Sequence, residues 1–308
     1  METVRVMLPV ALMLAIGFIC KKVSFFTDEG METIRKYIVF IALPTTIFHA
    51  MAVAELNRET VFIVVVMFLV LVIAMLLGFL LRPLIPEPYR NYLPFLITVF
   101  EGGMFAYPLY QNLCGEEQLV NIVIVDIAGC IFGFGVYYGI LALVDRKQKF
   151  SIKALAGTAA KSPTFWAVVL GLIVNATGIM KYFLASSVGD TYLAIKNLIV
   201  APLTALILLY VGYTLKIDKK IFAVCIKTIA FRMVVMAGLC ILVLNILRVD
   251  MKDHYMLSAF LVYFICPPTF SLPGFVKNRD AAGYFAMTTS MYVLITMVGY
   301  AIITALLF

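Results

Sequence analysis

Two short stretches of this chain set helix-breaking residues and polar side chains inside apolar surroundings. The first reads Phe100-Glu101-Gly102-Gly103-Met104-Phe105-Ala106-Tyr107-Pro108, the second Cys266-Pro267-Pro268-Thr269-Phe270-Ser271-Leu272-Pro273-Gly274. Proline lacks an N–H donor and clashes with the preceding turn, and paired glycines leave backbone bare. Both stretches are therefore expected to be unwound. A helix broken in this way exposes N–H and C=O groups and half-helix dipole ends, which can hold an anion without a full countercharge. The chemistry on offer is binding, with Glu101, Gly102, Gly103, Tyr107, Pro108, Pro267, Pro268, Thr269, Ser271 and Pro273 as candidate contacts.

Three ionisable residues lie at similar depth in apolar runs: Glu101, Asp126 and Arg232. A charge at the bilayer centre costs roughly 2.5 kcal/mol or more, so such groups pair, neutralise or face water. Glu101 abuts the first break. It reads as a coupling or substrate-gating carboxylate suited to a proton-coupled cycle, or else as a neutral acid bonded to the broken backbone. Asp126 reads either as a second coupling candidate in a charge relay with Glu101 and Arg232, or as a structural residue paired with Arg232, and the pairing is the expected outcome. His49 follows Pro44-Thr45-Thr46 and stands either as a substrate contact, with Thr45 and Thr46, or as a packing residue. Lys227 lies about two turns inside its run and is expected to snorkel outward.

Other chemistries lack their residues. The six cysteines are scattered without paired spacing, so neither a metal cluster nor a disulfide framework is expected. HExxH, GxSxG and P-loop motifs are absent, which argues against a membrane enzyme and against a primary pump acting alone; no cofactor is expected.

The elements that must position these residues are membrane helices. Apolar residues make up 64% of the 308 and charged residues 13%, too little charge to cover a soluble surface. A soluble nucleic-acid-binding domain is excluded with the other soluble classes, and the net charge of +7 first reports topology. Long apolar runs predict ten spans, at 3–20, 33–53, 60–81, 91–112, 118–144, 163–180, 189–215, 221–247, 254–276 and 281–307. In lipid such runs are helices, because unpaired backbone is too costly there. Lys21 and Lys22 follow the first run instead of preceding it, unlike a cleavable signal. Odd-numbered connections carry sixteen Lys and Arg; the N-terminus and even-numbered ones carry six, Arg5, Arg58, Lys181, Lys196, Arg248 and Lys252. This bias predicts a multi-pass protein of the cell (inner or plasma) membrane with both termini outside. The basic connection from Asp145 to Ser162 is expected along the inner surface.

Proline placement predicts a repeat. Pro9 precedes Gly17 by eight residues, as Pro163 precedes Gly171, while Pro44 matches Pro202 and Pro108 matches Pro273. Residues 1–147 and 148–308 would each hold five spans. An odd number inserts the two copies upside down, as in secondary transporters whose sites lie where the repeats meet.

With these motifs in order, the chain resembles the auxin efflux carrier family along essentially its whole length. Leu43-Pro44-Thr45-Thr46-Ile47-Phe48-His49 is similar to the family's span-two proline motif, and Gly103 to Pro108 to the first crossover helix. Ala201-Pro202-Leu203 with Gly212 and Leu215 resembles the span-seven motif, and Pro267 with Pro273 the second crossover. The resemblance implies an all-α fold like that of sodium/proton antiporters and bile-acid transporters, with broken spans four and nine crossing. Spans one, two, six and seven would form a scaffold and the other six a moving transport domain. It further implies elevator-type alternating access, a homodimer through the scaffold and a small organic anion, auxin-like or dicarboxylate-like, as substrate. The family commonly carries Asn where this chain has Glu101. A carboxylate there repels an anion unless protonated, so protons, or sodium in an exchanger built on Glu101 and Asp126, are the expected coupling ions.

Overall fold

The computed structural model describes residues 2–54, 57–146, 160, 162–215, 219–250 and 252–307. The described residues are helical, with no strand among them. Five helical runs are long and apolar enough to cross a membrane: Asp28–Val53, Arg58–Leu84, Ser187–Thr214, Phe222–Leu247 and Arg279–Leu307. The surface is inverted relative to a soluble protein. Leu198, Val234 and Leu306 are exposed, while Arg232, Glu101 and Asp126 are buried.

In chain order the helices are α1 Glu2–Lys22, α2 Asp28–Val53, α3 Arg58–Leu81, α4 Leu93–Thr98, α5 Tyr107–Cys114, α6 Leu119–Phe132 and α7 Tyr138–Arg146. There follow α8 Pro163–Thr177, α9 Ile179–Leu184, α10 Ser187–Val200, α11 Leu203–Thr214, α12 Phe222–Leu247, α13 His254–Ile265, α14 Leu272–Phe275 and α15 Arg279–Leu307. Their starts are written in polar side chains that accept orphan N–H groups. Asn57 takes the N–H of Thr60 at 2.9 Å, and Asp253 that of Met256 at 3.0 Å. Ser162 takes the N–H of Phe165 at 3.2 Å, with Pro163 in the first turn where its missing donor costs nothing.

Prolines inside spans are absorbed locally. Pro44 and Pro108 each occupy the second residue of an α-helical segment preceded by a five-residue π turn, Ile38–Ala42 and Gly102–Ala106. The wider turn moves the preceding carbonyls away from the ring that would strike them. This revises the expectation for 100–108: only Val99 to Glu101 is unwound, and Gly102 to Pro108 is helical again. The run 254–276 unwinds from Cys266 to Ser271 before α14. The run 163–180 stops at Thr177, where Gly178 takes φ +67°. Lys196, counted above with an external connection, lies within α10 and is buried.

Two helix pairs pack tightly, α1 on α11 and α2 on α8. Small residues permit this, since close backbone approach needs Gly. A Cβ on Gly17 would come 2.8 Å from the N of Tyr213, and one on Gly171 would come 2.6 Å from the Cβ of Met51. Helices α3, α4, α6, α12, α13 and α15 form a second group around the two breaks. The basic stretch after Arg146, with Lys147, Lys149, Lys153 and Lys161, falls outside the described residues, as does Lys216.

Candidate functional site

Helix α4 ends at Thr98, and Val99 turns extended at φ −83°, ψ 150°. Helix α13 ends at Ile265, and Cys266 is likewise extended. The two unwound stretches meet directly: the Glu101 N–H donates to the Pro267 carbonyl at 2.8 Å. Pro267 and Pro268 have no N–H of their own, so the next main-chain donors belong to Thr269, Phe270 and Ser271. Both oxygens of the buried Glu101 carboxylate accept backbone N–H groups, Met104 to Oε1 at 3.2 Å and Phe270 to Oε2 at 2.6 Å. One donor opens the segment that leads into α5, and the other lies just before α14. A single carboxylate thus lies where two helix beginnings converge, which is where partial positive charge favours an anion.

The opposite helix ends carry the opposite charge. Arg232 of α12 is fully buried and donates from Nη1 to the Leu96 carbonyl at 2.7 Å and from Nη2 to the Cys266 carbonyl at 3.1 Å. These carbonyls belong to the last turn of α4 and the C-cap of α13, where the dipoles are negative. The guanidinium lies over the rings of Phe100 and Tyr292, 4.9 and 5.2 Å from their centroids. The expected Asp126–Arg232 pair is therefore corrected. Main-chain carbonyls take up both terminal nitrogens of the guanidinium, its buried Nε meets no partner, and Asp126 is satisfied elsewhere. Its Oδ2 accepts the Tyr107 hydroxyl at 2.8 Å and its Oδ1 the Tyr263 hydroxyl at 2.6 Å. Glycines clear the space. A Cβ on Gly102 would fall on the Asp126 carboxylate, and one on Gly129 would come 2.5 Å from the Tyr263 hydroxyl.

Changing Tyr263 to Phe removes one of these two donors without altering bulk. The expected result is a loss of about 1.5–3 kcal/mol of stability, the usual worth of a hydrogen bond to a charged group, together with slower transport. Thermal unfolding of the purified protein reads the first effect; a wild-type melting curve would show that Asp126 does not depend on Tyr263.

Of the residues singled out from sequence, Glu101, Gly102, Tyr107, Asp126, Pro267, Pro268 and Thr269 lie at or beside the meeting of the breaks. Gly103 faces Leu43 of α2, and Pro108 sits within the first turn of α5. Ser271 and Pro273 line a cavity of about 600 Å³ together with Lys21, Arg35, Tyr210, Phe270 and Thr289. Thr46 and His49 are not part of this arrangement. They line a second cavity of about 840 Å³ with Glu116, Glu117 and Lys196, none of them from the two breaks. There His49 Nδ1 lies 3.2 Å from the Tyr192 hydroxyl, and Lys196 pairs with Glu116 at 2.7 Å. Thr45 bonds back to the Ile41 carbonyl at 2.7 Å and lines neither cavity.

Sequence reasoning missed Tyr263 and Tyr138, whose hydroxyl lies 2.8 Å from Ser271 Oγ. The available signal was a phenol within an apolar run, since a buried Tyr normally finds a partner for its hydroxyl. Among the described residues no group of His, Cys, Asp and Glu side chains is arranged to hold a metal ion.

No curated protein matches the chain. A family model described as a membrane transport protein matches residues 3–308. That match spans nearly all of a chain whose described residues are helical with several membrane-spanning helices, and the family is one of transporters, not of enzymes: the chain belongs to the auxin efflux carrier family of membrane transport proteins.

Proposed function

We propose that this protein is a secondary active transporter of a small organic anion or weak acid, working by alternating access. The observation that carries the reading is the convergence of two broken-helix starts on one carboxylate position, beside a cavity that reaches Phe270 and Ser271. Ten spans arranged as two inverted five-span repeats fit the packing, because α1 on α11 is mirrored by α8 on α2, first span on seventh and sixth on second. The matched glycines Gly17 and Gly171 each lie at one of these contacts. In this arrangement spans one, two, six and seven form the scaffold, and the remaining six carry the site past it as an elevator. With Lys21, Arg35 and the other basic connections on the cytoplasmic side, the 600 Å³ cavity is the inner one and both termini are outside. The outer cavity is lined by no residue of the two breaks and carries the Lys196–Glu116 pair on its wall. A homodimer through the scaffold of the cell membrane protein completes the reading.

A second reading, cation/proton exchange, is favoured by the closeness of two buried carboxylates, Glu101 and Asp126, separated by Gly102. Flux into proteoliposomes decides between them. Movement of a labelled dicarboxylate or indole acid, faster with an inward proton gradient, is the expected result. Sodium-dependent proton movement without any carboxylate flux would replace the first reading by the second.

A further inference from the structure

We propose that the anion cradle is self-occupied: Glu101 holds the place of a substrate carboxylate, and substrate loads only after Glu101 takes up a proton and releases both N–H groups. This inference rests on the transport reading above. Its basis is that each Glu101 oxygen already accepts a main-chain donor, at 3.2 and 2.6 Å. A second carboxylate cannot use the same two hydrogens. The backbone of Glu101 is anchored separately, through its own N–H to Pro267, so the side chain can leave while the break keeps its shape. Phe270, which supplies the closer donor, borders the 600 Å³ cavity, so the exchange of occupants takes place at a wall that substrate can reach.

The surroundings favour this exchange over its alternatives. Asp126 is held in place on Tyr107 and Tyr263, one hydroxyl to each of its oxygens, whereas Glu101 is the carboxylate bonded to the cradle. Among the described residues no Lys or Arg pairs with Glu101, and Arg232 is committed to the far helix ends. Besides these groups, the titratable side chains within electrostatic reach of Glu101 among the described residues include Cys130 on α6, Tyr138 on α7, Tyr210 on α11 and Cys266 after α13. These are thiols and phenols that remain neutral near neutral pH. The exchange balances in charge. One carboxylate anion and one proton enter, Glu101 becomes a neutral acid, and the cradle holds one negative charge both empty and loaded. The moving domain then bears the same buried charge in each direction, which removes the electrostatic difference that would otherwise hinder one of its two crossings. The ligand class is an anion with a planar two-oxygen carboxylate head, like the group it displaces.

The test uses full-length protein in detergent and sodium formate, the smallest carboxylate, against sodium chloride at equal ionic strength. A ligand that binds the folded state raises its melting temperature. Formate is expected to stabilise Glu101→Ala at acid and alkaline pH alike. For the wild type the apparent affinity should weaken by roughly tenfold per pH unit in the alkaline range, as one linked proton requires. Glu101→Gln, which keeps an acceptor oxygen and the side-chain bulk, should also respond without pH dependence, and it carries the test if the alanine variant fails to fold. Equal alkaline responses from wild type and variants, or no response from either variant, would overturn the proposal. If the formate pattern holds and no carboxylate flux is found, the transport reading fails and the cradle stands. Flux with a pH-independent formate response in the wild type gives the converse.

Discussion

Arg232→Ala is expected to lower stability by about 3–6 kcal/mol and to leave little folded protein after extraction. Each of the two hydrogen bonds from its guanidinium is charge-assisted and worth roughly 1.5–3 kcal/mol. Both serve carbonyls at helix ends beyond which no further turn follows, Leu96 and Cys266. Losing the cation also removes the charge facing two negative dipole ends. Burying a guanidinium is itself costly, and replacing a buried ion pair by apolar residues can be neutral. That offset does not apply to Arg232→Met, because the carbonyls stay buried and lose their donors. Arg232→Lys keeps the charge on a single nitrogen in place of a planar fork, so an intermediate loss is expected. Thermal unfolding of the three variants checks the order Ala and Met below Lys below wild type. Wild-type stability in Arg232→Met would mean that the two half-helices need no cation between them.

The second large effect is on transport. Gly102→Ala should abolish flux while the protein still reaches the membrane, whereas Gly103→Ala should retain a substantial part of it. At Gly102 the new Cβ falls on the Asp126 carboxylate, which two tyrosines pin in place. Relief requires that Asp126 move and lose those partners beside the anion cradle. At Gly103 the nearest atoms are the ends of the Leu43 side chain, with Cδ2 at 2.7 Å, and a leucine can change rotamer for a modest penalty. Flux of the labelled carboxylate in vesicles, normalised to inserted protein, reads the difference. Equal flux from the two variants would show that the Asp126 arrangement does not matter to the site.

These two glycines mark the boundary between what could be read from residues alone and what could not. The membrane class, the long helices and the places of interruption follow from properties local to the chain. A long apolar run with little charge must be a helix in lipid, and Pro267-Pro268 or Gly102-Gly103 weakens that helix wherever it sits. Even so, the first break fell just before the glycines, at Val99 to Glu101, because a widened turn over Gly102–Ala106 absorbs Pro108. The sequence marks Glu101 as the carboxylate at the break; that its two oxygens bridge both breaks is not legible in it.

Partnerships across the fold lay beyond reach for the same reason. Asp126 and Arg232 have complementary charge and similar depth, and a chain read as separate spans has no means of separating them. Their actual partners, Tyr107 and Tyr263 on one side and Leu96 and Cys266 on the other, depend on which helices lie side by side. The sequence offers Thr46 and His49 as substrate contacts, with packing as the alternative for His49, and the fold sets both on another cavity than the breaks. Sequence by itself determined that this is a membrane protein with helices interrupted near a buried acid, because hydropathy and backbone chemistry act over a few neighbouring residues. Tertiary structure alone decided which helix ends share that acid and which share the arginine, because hydrogen bonds and dipoles act across a few ångströms between segments 34 to 169 residues apart.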